Sequence, residues 1–222
     1  MKKINTKALV GTAIFAALAF AITFVFRLPF GFLTFDAKDA VILIGAFLYG
    51  PVSGVLMALI AALLELITVS STGLYGFVMN FASSAVFAGV ASLIYSKKRS
   101  AAGAVLSLYV ASLVLTGTMM LLNLWITPYY MGVTVEDVAH LIPTFLLPFN
   151  LAKALCNSAL AMFLYKPFSK AAISAHLAEK HTKDPDPCDE KPIRKNRNTP
   201  LMLLCGALTL AVAVLIFVFL KK

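Results

Sequence analysis

The sequence is poor in charge and in the motifs of several common protein classes. Only 13% of its 222 residues are charged, whereas a soluble domain has about a quarter. Its 3 cysteines, Cys156, Cys188 and Cys205, show neither metal-ligand spacing nor a paired framework. The phosphate-binding motif G-x-x-x-x-G-K-[ST] is absent from the sequence. These absences argue against an ordinary soluble domain, a disulfide scaffold, a cysteine metal site and an ATPase of the usual kind.

Long apolar runs are present instead, and 60% of the residues are hydrophobic. Residues 8–26 and 201–220 carry no charge, and about 20 such residues in a helix cross the hydrocarbon core of a bilayer. The first run is too long for the apolar part of a signal peptide and lacks a small-residue cleavage site, so we interpret it as a retained helix. The sequence therefore predicts an integral membrane protein.

Six membrane segments fit residues 8–166, which predicts an all-α bundle with a short second segment. The segments are 8–26, two within 39–67, 74–95, about 102–126 and about 143–165. Gly50-Pro51 divides the stretch 39–67, because proline cannot continue a helical hydrogen-bond ladder. The fifth segment is predicted to end before Thr127-Pro128 and to be followed by an outer loop, 127–141.

Three regions are predicted along the chain: a six-helix membrane domain in 1–166, a charged, proline-containing cytoplasmic linker in 167–199, and an additional transmembrane helix in 200–222. Of the 19 lysines and arginines, 3 precede the first segment, 3 lie between the fourth and fifth segments at 97–99, and 8 lie between Lys166 and Arg197. By the positive-inside bias, both ends of the six-helix unit are expected in the cytoplasm. A seventh crossing would place Lys221 and Lys222 outside.

Polar side chains at membrane depth converge on the outer half of this predicted bundle. With alternating helix directions, Glu65 and Asn123 lie near the ends of outward-going helices, and Asn80, Asn150 and Lys153 near the starts of inward-going ones. Such groups are costly in a bilayer and often mark a site. Amides offer donors and acceptors together, and no arginine cluster is present for phosphate. With the aromatic residues of the outer loops, this pattern favours a flat, uncharged heteroaromatic ligand.

Each of these residues also has a plainer interpretation. An asparagine in a helix bundle is often an interhelical contact that contributes roughly 1 kcal/mol. Lys153 can extend its ammonium group toward an interface. Glu65 can pair with Lys153 or cap the turn at residues 70–73.

Three segments resemble the riboflavin-specific substrate-binding (S) component of energy-coupling-factor (ECF) vitamin transporters. They are FLTFDAKDAVILIGAFLYGPVSGVLMALIAALLELITVSSTGLYGFVMNFASS (32–84), NLWITPYYMGV (123–133) and LPFNLAKALCNSAL (147–160). The resemblance implies a six-helix protein of the bacterial cell membrane that takes up riboflavin with high affinity from outside. It also implies that the outer loop after the first helix closes over the ligand.

The resemblance also implies which residues bind. Asn123, Asn150 and Lys153 match residues that make polar contacts to the flavin. The remaining expected ligand-binding residues are Asp36, Lys38, Asp39, Glu65, Thr72, Gly73, Gly76, Asn80 and Tyr130.

The resemblance further supplies the partners, a transmembrane coupling subunit and two cytoplasmic ATPases. Small residues on the first helix dock the coupling subunit in that family, and here Ala13 and Ala17 form the pattern. Small residues four apart allow close helix approach, although alanine-rich membrane helices are common. Riboflavin is then the transported substrate, and no cofactor, metal or catalytic residue is expected. The extension after residue 167 departs from the six-helix pattern, and this leaves the mode of docking open.

Three other functions remain as alternatives. The same fold can serve another vitamin or a flavin relative. An intramembrane enzyme using Glu65 and His140 is disfavoured, because no H-E-x-x-H motif or nucleophile–base pair is present. A channel or structural protein is disfavoured because the inner half has no comparable polar lining.

Overall fold

The computed structural model describes residues 6–70, 72–177 and 198–220, most of which are helical. The elements are α1 (Thr6–Val25), β1 (Arg27–Phe30), β2 (Leu33–Asp36), α2 (Lys38–Tyr49), α3 (Pro51–Thr68), α4 (Gly73–Lys97), α5 (Ala101–Met131), α6 (Val135–Leu141), α7 (Leu147–Ser174) and α8 (Asn198–Leu220). A π-helical turn, Ile142–Leu146, joins α6 to α7. The predicted all-α membrane bundle is confirmed.

Among the described residues, six segments are long and apolar enough to cross a membrane: α1, α3, α4, α5, the stretch Val135–Ser174 and Met202–Leu220. The last of these corresponds to the predicted seventh helix. Helix α2 has 12 residues and is about 18 Å long, shorter than the roughly 30 Å of the hydrocarbon core. Its shortness agrees with the predicted short second segment.

Helix α2 forms the centre of the bundle. Every residue from Asp36 to Phe47 is buried, and α2 packs against α1, α3, α4 and α7. The break before α3 lies where the sequence predicts it, with Pro51 in the first turn of α3. Proline suits that position, because the first amides of a helix have no intrahelical acceptor. A central helix surrounded by four others fixes the polar groups at its N-terminus.

The loop after α1 contains a β-hairpin, β1–β2, that the sequence analysis did not predict. Arg27 pairs with Asp36 and Phe30 with Leu33 in an antiparallel register. Gly31 in the turn has φ +58°, a left-handed conformation that glycine adopts without steric cost. The hairpin leads directly into α2.

The predicted end of the fifth segment is wrong. Helix α5 continues through Thr127 and Pro128 to Met131 and ends where Gly132 adopts the left-handed conformation. Membrane helices tolerate an internal proline when neighbouring groups satisfy the freed carbonyl. Residues 135–141 of the predicted loop form α6, whose N-terminus is capped reciprocally by Thr134 and Asp137.

Helix α8 packs along α7 and also contacts α5. Contacts near the start and the middle of α7 show that the two helices are antiparallel, since Phe149 meets Phe217 and Phe163 meets Gly206. Helix α7 itself runs to Ser174, beyond residue 166. Most of the predicted linker, residues 178–197, lies outside the described residues, as do Lys221 and Lys222.

Candidate functional site

A buried carboxylate, Glu65, connects four helices near the N-terminus of α2. Lys38 Nζ lies 2.7 Å from both Glu65 oxygens. Asn80 Nδ2 of α4 donates to Oε2 at 3.0 Å, and Thr23 Oγ1 of α1 donates to Oε1 at 3.2 Å. The charge and the oxygens of Glu65 are therefore matched by side chains of α1, α2 and α4.

A second set of contacts fixes the hairpin to α7. Lys153 Nζ donates to Asp36 Oδ2 at 2.9 Å and to the Thr34 carbonyl at 3.4 Å. Asn157 Nδ2 donates to the Asp36 carbonyl at 3.0 Å, and its Oδ1 accepts from the Ala40 amide at 3.0 Å. These contacts hold the end of β2 and the first turn of α2 in place.

Five ionisable groups are buried together in this region. They are Asp36, Lys38, Asp39, Glu65 and Lys153, each at most 8% exposed. Burying a charge costs several kcal/mol unless it is paired and hydrogen-bonded. Asp39 accepts a hydrogen bond from Ser84, so each of the five has at least one polar partner.

Asp36 is the group in this cluster that retains an unused acceptor. Burial alone would raise the pKa of Asp36, but the positive charges of Lys153 and Lys38 outweigh burial and hold that pKa below its ordinary value. Asp36 is therefore ionised at neutral pH. Its Oδ1 has no hydrogen-bond partner among the described residues. A buried, charged oxygen of this kind can accept a hydrogen bond from a ligand.

A cavity lies between the hairpin and helices α3, α4 and α5, next to this cluster. Its empty volume is about 860 Å³, including the open solvent at its mouth. Its walls carry both polar and aromatic groups. The lining residues include Thr23, Arg27, Phe32, Thr34, Asp36, Glu65, Ser70, Thr72, Tyr75, Phe77, Asn80, Asn123, Thr127 and Tyr130. Such a cavity suits a ligand with a flat apolar body and several hydrogen-bonding groups.

The structure brings seven of the expected site residues to the cavity wall: Asp36, Glu65, Thr72, Gly76, Asn80, Asn123 and Tyr130. Asn123 is fully buried, with Nδ2 donating to the Met119 carbonyl at 2.7 Å and Oδ1 accepting from Thr127 at 2.9 Å. Its amide is therefore already oriented before a ligand enters.

The other expected residues lie outside this lining set. Lys38, Asp39 and Lys153 belong to the buried cluster behind the wall. Gly73 begins α4. Asn150 Nδ2 donates to the Leu146 carbonyl of the preceding turn at 2.8 Å.

Thr23, Thr34 and Thr127 line the cavity but were not identified from the sequence. Thr127 lies one helical turn after Asn123 and so shares its face of the helix. That relation was hidden because the helix was predicted to end before Thr127. Thr34 depends on the hairpin register, for which the sequence carried no clear signal.

The proposed docking residues on α1 lie on its outer surface. Ala13 and Ala17 are exposed, whereas Ala16 and Ala19 are fully buried against the bundle. Helix α8 packs on α7 and α5. The small-residue face of α1 therefore remains accessible to another helix.

The described residues contain no group of three or more His, Cys, Asp or Glu side chains placed to hold a metal ion. Paired charges lie behind and along one wall of the cavity. Its chemistry is hydrogen bonding and aromatic contact.

Comparison with known proteins identifies relatives over the six-helix unit. The family model "ECF transporter, substrate-specific component" matches residues 7–165. The riboflavin transporter RibU of Staphylococcus aureus (strain TCH60) is 32% identical over 177 residues, which cover 74% of this chain and 93% of that protein. A solved structure of the S component of a bacterial ECF transporter has a TM-score of 0.64 and 30% identity, covering 75% of this chain and 97% of that chain.

Proposed function

This chain belongs to the substrate-specific components of ECF transporters, and from that membership we propose that it binds riboflavin in the cavity beneath the hairpin. The choice of riboflavin as the substrate rests on the 32% identity to a riboflavin transporter across 93% of that protein's length. The family match over residues 7–165 includes the elements that form the cavity and the hairpin.

The chemistry of the cavity supports a flavin. Riboflavin has a flat, uncharged ring system with carbonyl and imide groups, and a ribityl chain with hydroxyl groups. Phe32, Tyr75 and Tyr130 offer aromatic contact to the ring, while Asn123 and the free Oδ1 of Asp36 offer hydrogen bonds. Pre-oriented polar groups reduce the entropy that binding costs.

The partners follow from the family. ECF substrate-specific components work with a transmembrane coupling subunit and cytoplasmic ATPases, and we propose the same for this chain. The proposed docking face is the exposed surface of α1 that carries Ala13 and Ala17. The distribution of basic residues supports a cytoplasmic N-terminus, with the cavity opening toward the outside.

Titration of the purified full-length protein in detergent tests the substrate. Ligand-free protein is mixed with riboflavin, and quenching of flavin fluorescence is recorded. We expect saturable 1:1 binding with a sub-micromolar Kd, and a yellow ligand in protein purified without its removal. Flavin mononucleotide and a non-flavin vitamin serve as comparison ligands.

The outcomes separate the alternatives. Tighter binding of the mononucleotide would assign a flavin relative as the substrate, and saturable binding of the other vitamin alone would assign a different specificity on the same fold. Chemical alteration of bound riboflavin would instead favour an enzyme. Absence of saturable riboflavin binding by folded protein would refute the proposal.

A further inference from the structure

The β1–β2 hairpin has two chemically different faces. Arg27, Thr34 and Asp36 line the cavity, and cross-strand pairing places them on one face with Pro29. The opposite face carries Leu28, Phe30, Leu33 and Phe35, of which Leu33, next to the turn, also lines the cavity. A two-stranded hairpin is marginally stable by itself, so the apolar face needs a partner to hold the polar face over the cavity.

That partner includes Phe217 of α8. Its ring stacks on Phe30 of β1 with a centroid distance of 4.9 Å and an interplanar angle of 28°. It meets Phe35 of β2 edge-on at 5.4 Å and Phe149 of α7 edge-on at 5.8 Å. Phe217 thus contacts both strands of the hairpin and one helix of the bundle.

Helix α8 is itself fixed to the bundle, so Phe217 is a firm support. Thr209 of α8 and Tyr109 of α5 share a hydrogen bond of 2.5 Å. Ala213 is fully buried, and Gly206 lies close enough to Phe163 that an added Cβ would be 3.2 Å from its ring. These contacts occur at successive turns of α8 below Phe217. The region that matches the family ends at residue 165, so this support lies outside the matched region.

We propose that Phe217 is a positioning residue that holds the hairpin over the cavity, so that α8 controls how often the cavity opens. The consequence for ligand exchange rests on the proposed riboflavin site, whereas the contact between α8 and the hairpin does not. Loss of the Phe217 ring removes the contacts of α8 to both strands and leaves the apolar face with the contact between Phe30 and Phe149 of α7, at 5.9 Å. The hairpin then opens more often, and ligand both enters and leaves faster.

Hydrogen–deuterium exchange of the ligand-free protein tests the support directly. In full-length protein in nanodiscs, Phe217→Ala should speed exchange of the hairpin amides, residues 27–36, by roughly three- to tenfold. This factor corresponds to the stabilisation that one or two aromatic contacts give a closed hairpin. Phe219→Ala is the matched control, because Phe219 lies two residues along the same helix and is 83% exposed. It should leave hairpin exchange unchanged.

Exchange within α8, residues 205–213, shows whether the helix stays folded in the variant. Slow exchange there, together with faster hairpin exchange, supports a local effect of Phe217. If α8 also exchanges faster, Phe217→Leu replaces the alanine variant, because leucine keeps apolar bulk and loses the ring contacts. Phe30→Ala should also speed hairpin exchange, and the double variant Phe30→Ala/Phe217→Ala should have less than the sum of the two single effects, because both changes remove the same Phe30–Phe217 contact. Independent, additive effects would overturn the proposal.

Stopped-flow riboflavin binding tests the functional consequence. Phe217→Ala should raise the association and dissociation rate constants together, by about the same factor as the amide exchange, and should change Kd less than either rate. A direct ligand contact would raise dissociation alone. If the wild-type protein fails to bind riboflavin, the proposed function is refuted. The hydrogen–deuterium exchange experiment then still tests whether Phe217 supports the hairpin. If Phe217→Ala shows the same hairpin exchange and the same binding rates as Phe219→Ala, this inference is overturned. The proposed function is not affected by that result.

Discussion

At the scale of single residues, Lys38 and Glu65 depend on each other. Lys38 is 2% exposed and lies 2.7 Å from both oxygens of Glu65. Both charges are almost completely buried, so the cost of losing one exceeds that of losing a surface pair. The pair also holds α3 against the N-terminal turn of α2, next to the cavity wall.

Lys38→Met should therefore lower stability by about 3–5 kcal/mol, since it leaves the buried Glu65 carboxylate without its cation. Thermal unfolding in detergent micelles measures this as a lower Tm. Lys170→Met, at an exposed lysine of α7, is the control and should be nearly neutral. Adding Glu65→Gln should restore much of the loss, because glutamine removes the unpaired charge and keeps partners for Asn80 and Thr23. Equal Tm values for Lys38→Met and Lys170→Met would contradict the role of the pair.

Asn150 and Lys153 were predicted to contact the flavin, and the structure gives them different surroundings. Lys153 reaches Asp36 and the Thr34 carbonyl, two residues of the cavity wall. Asn150 donates within its own helix. Both remain proposed ligand-binding residues, with Lys153 also supporting the wall.

Substitution of either residue by alanine should weaken riboflavin binding by at least about 1–2 kcal/mol, because buried partners lose their hydrogen bonds. Lys153→Ala should have the larger effect, since it also leaves Asp36 without its nearest cation. Riboflavin titration of both variants measures the change in Kd. If both variants bind riboflavin as tightly as the wild type, neither residue contributes to binding, and both have a structural role only.

At the scale of elements, the hairpin needs its turn as well as its support from α8. Gly31 has φ +58°, and a side chain in this left-handed conformation costs about 1–2 kcal/mol. Gly31→Ala should therefore destabilise the hairpin by about that amount and speed riboflavin dissociation. Gly117→Ala is the control, because Gly117 lies within α5 and an added Cβ there meets nothing within 4 Å. A dissociation rate in Gly31→Ala no faster than in Gly117→Ala would show that the turn does not limit ligand release.

The same element shows why the sequence predicted the helices better than the site. Long uncharged runs predict membrane-spanning helices, and Gly50-Pro51 predicts the break between α2 and α3. Both signals depend only on neighbouring residues in the sequence, and both predictions are confirmed. Pro128 was predicted to end the helix, but a membrane helix continues through proline when neighbouring groups donate a hydrogen bond to the freed carbonyl. The hairpin has only 4 residues in each strand, and its register depends on contacts with α7 and α8, which are distant in sequence. Thr34 and Phe217 could not be assigned before that packing was known.

At the scale of the whole molecule, the bundle presents two different outer surfaces. Helix α1 exposes Ala13 and Ala17, and α8 exposes Ala207 and Ala211, which have the same spacing. Either pair permits close approach of another helix. The proposed partnership with a coupling subunit needs one of these surfaces. Helix α1 belongs to the region that matches the family, whereas α8 lies beyond it, so we assign docking to α1.

Two double variants decide between these surfaces. Ala13→Leu/Ala17→Leu should leave the riboflavin Kd unchanged and abolish most uptake in cells that contain the coupling subunit and ATPases, because two added leucine side chains prevent close helix contact. Ala207→Leu/Ala211→Leu makes the same change in shape on α8 and should preserve both binding and uptake. The reverse pattern would place the coupling subunit on α8 and make that helix a docking element. Loss of binding together with uptake in the first variant would indicate misfolding, which thermal unfolding of the same preparation would reveal.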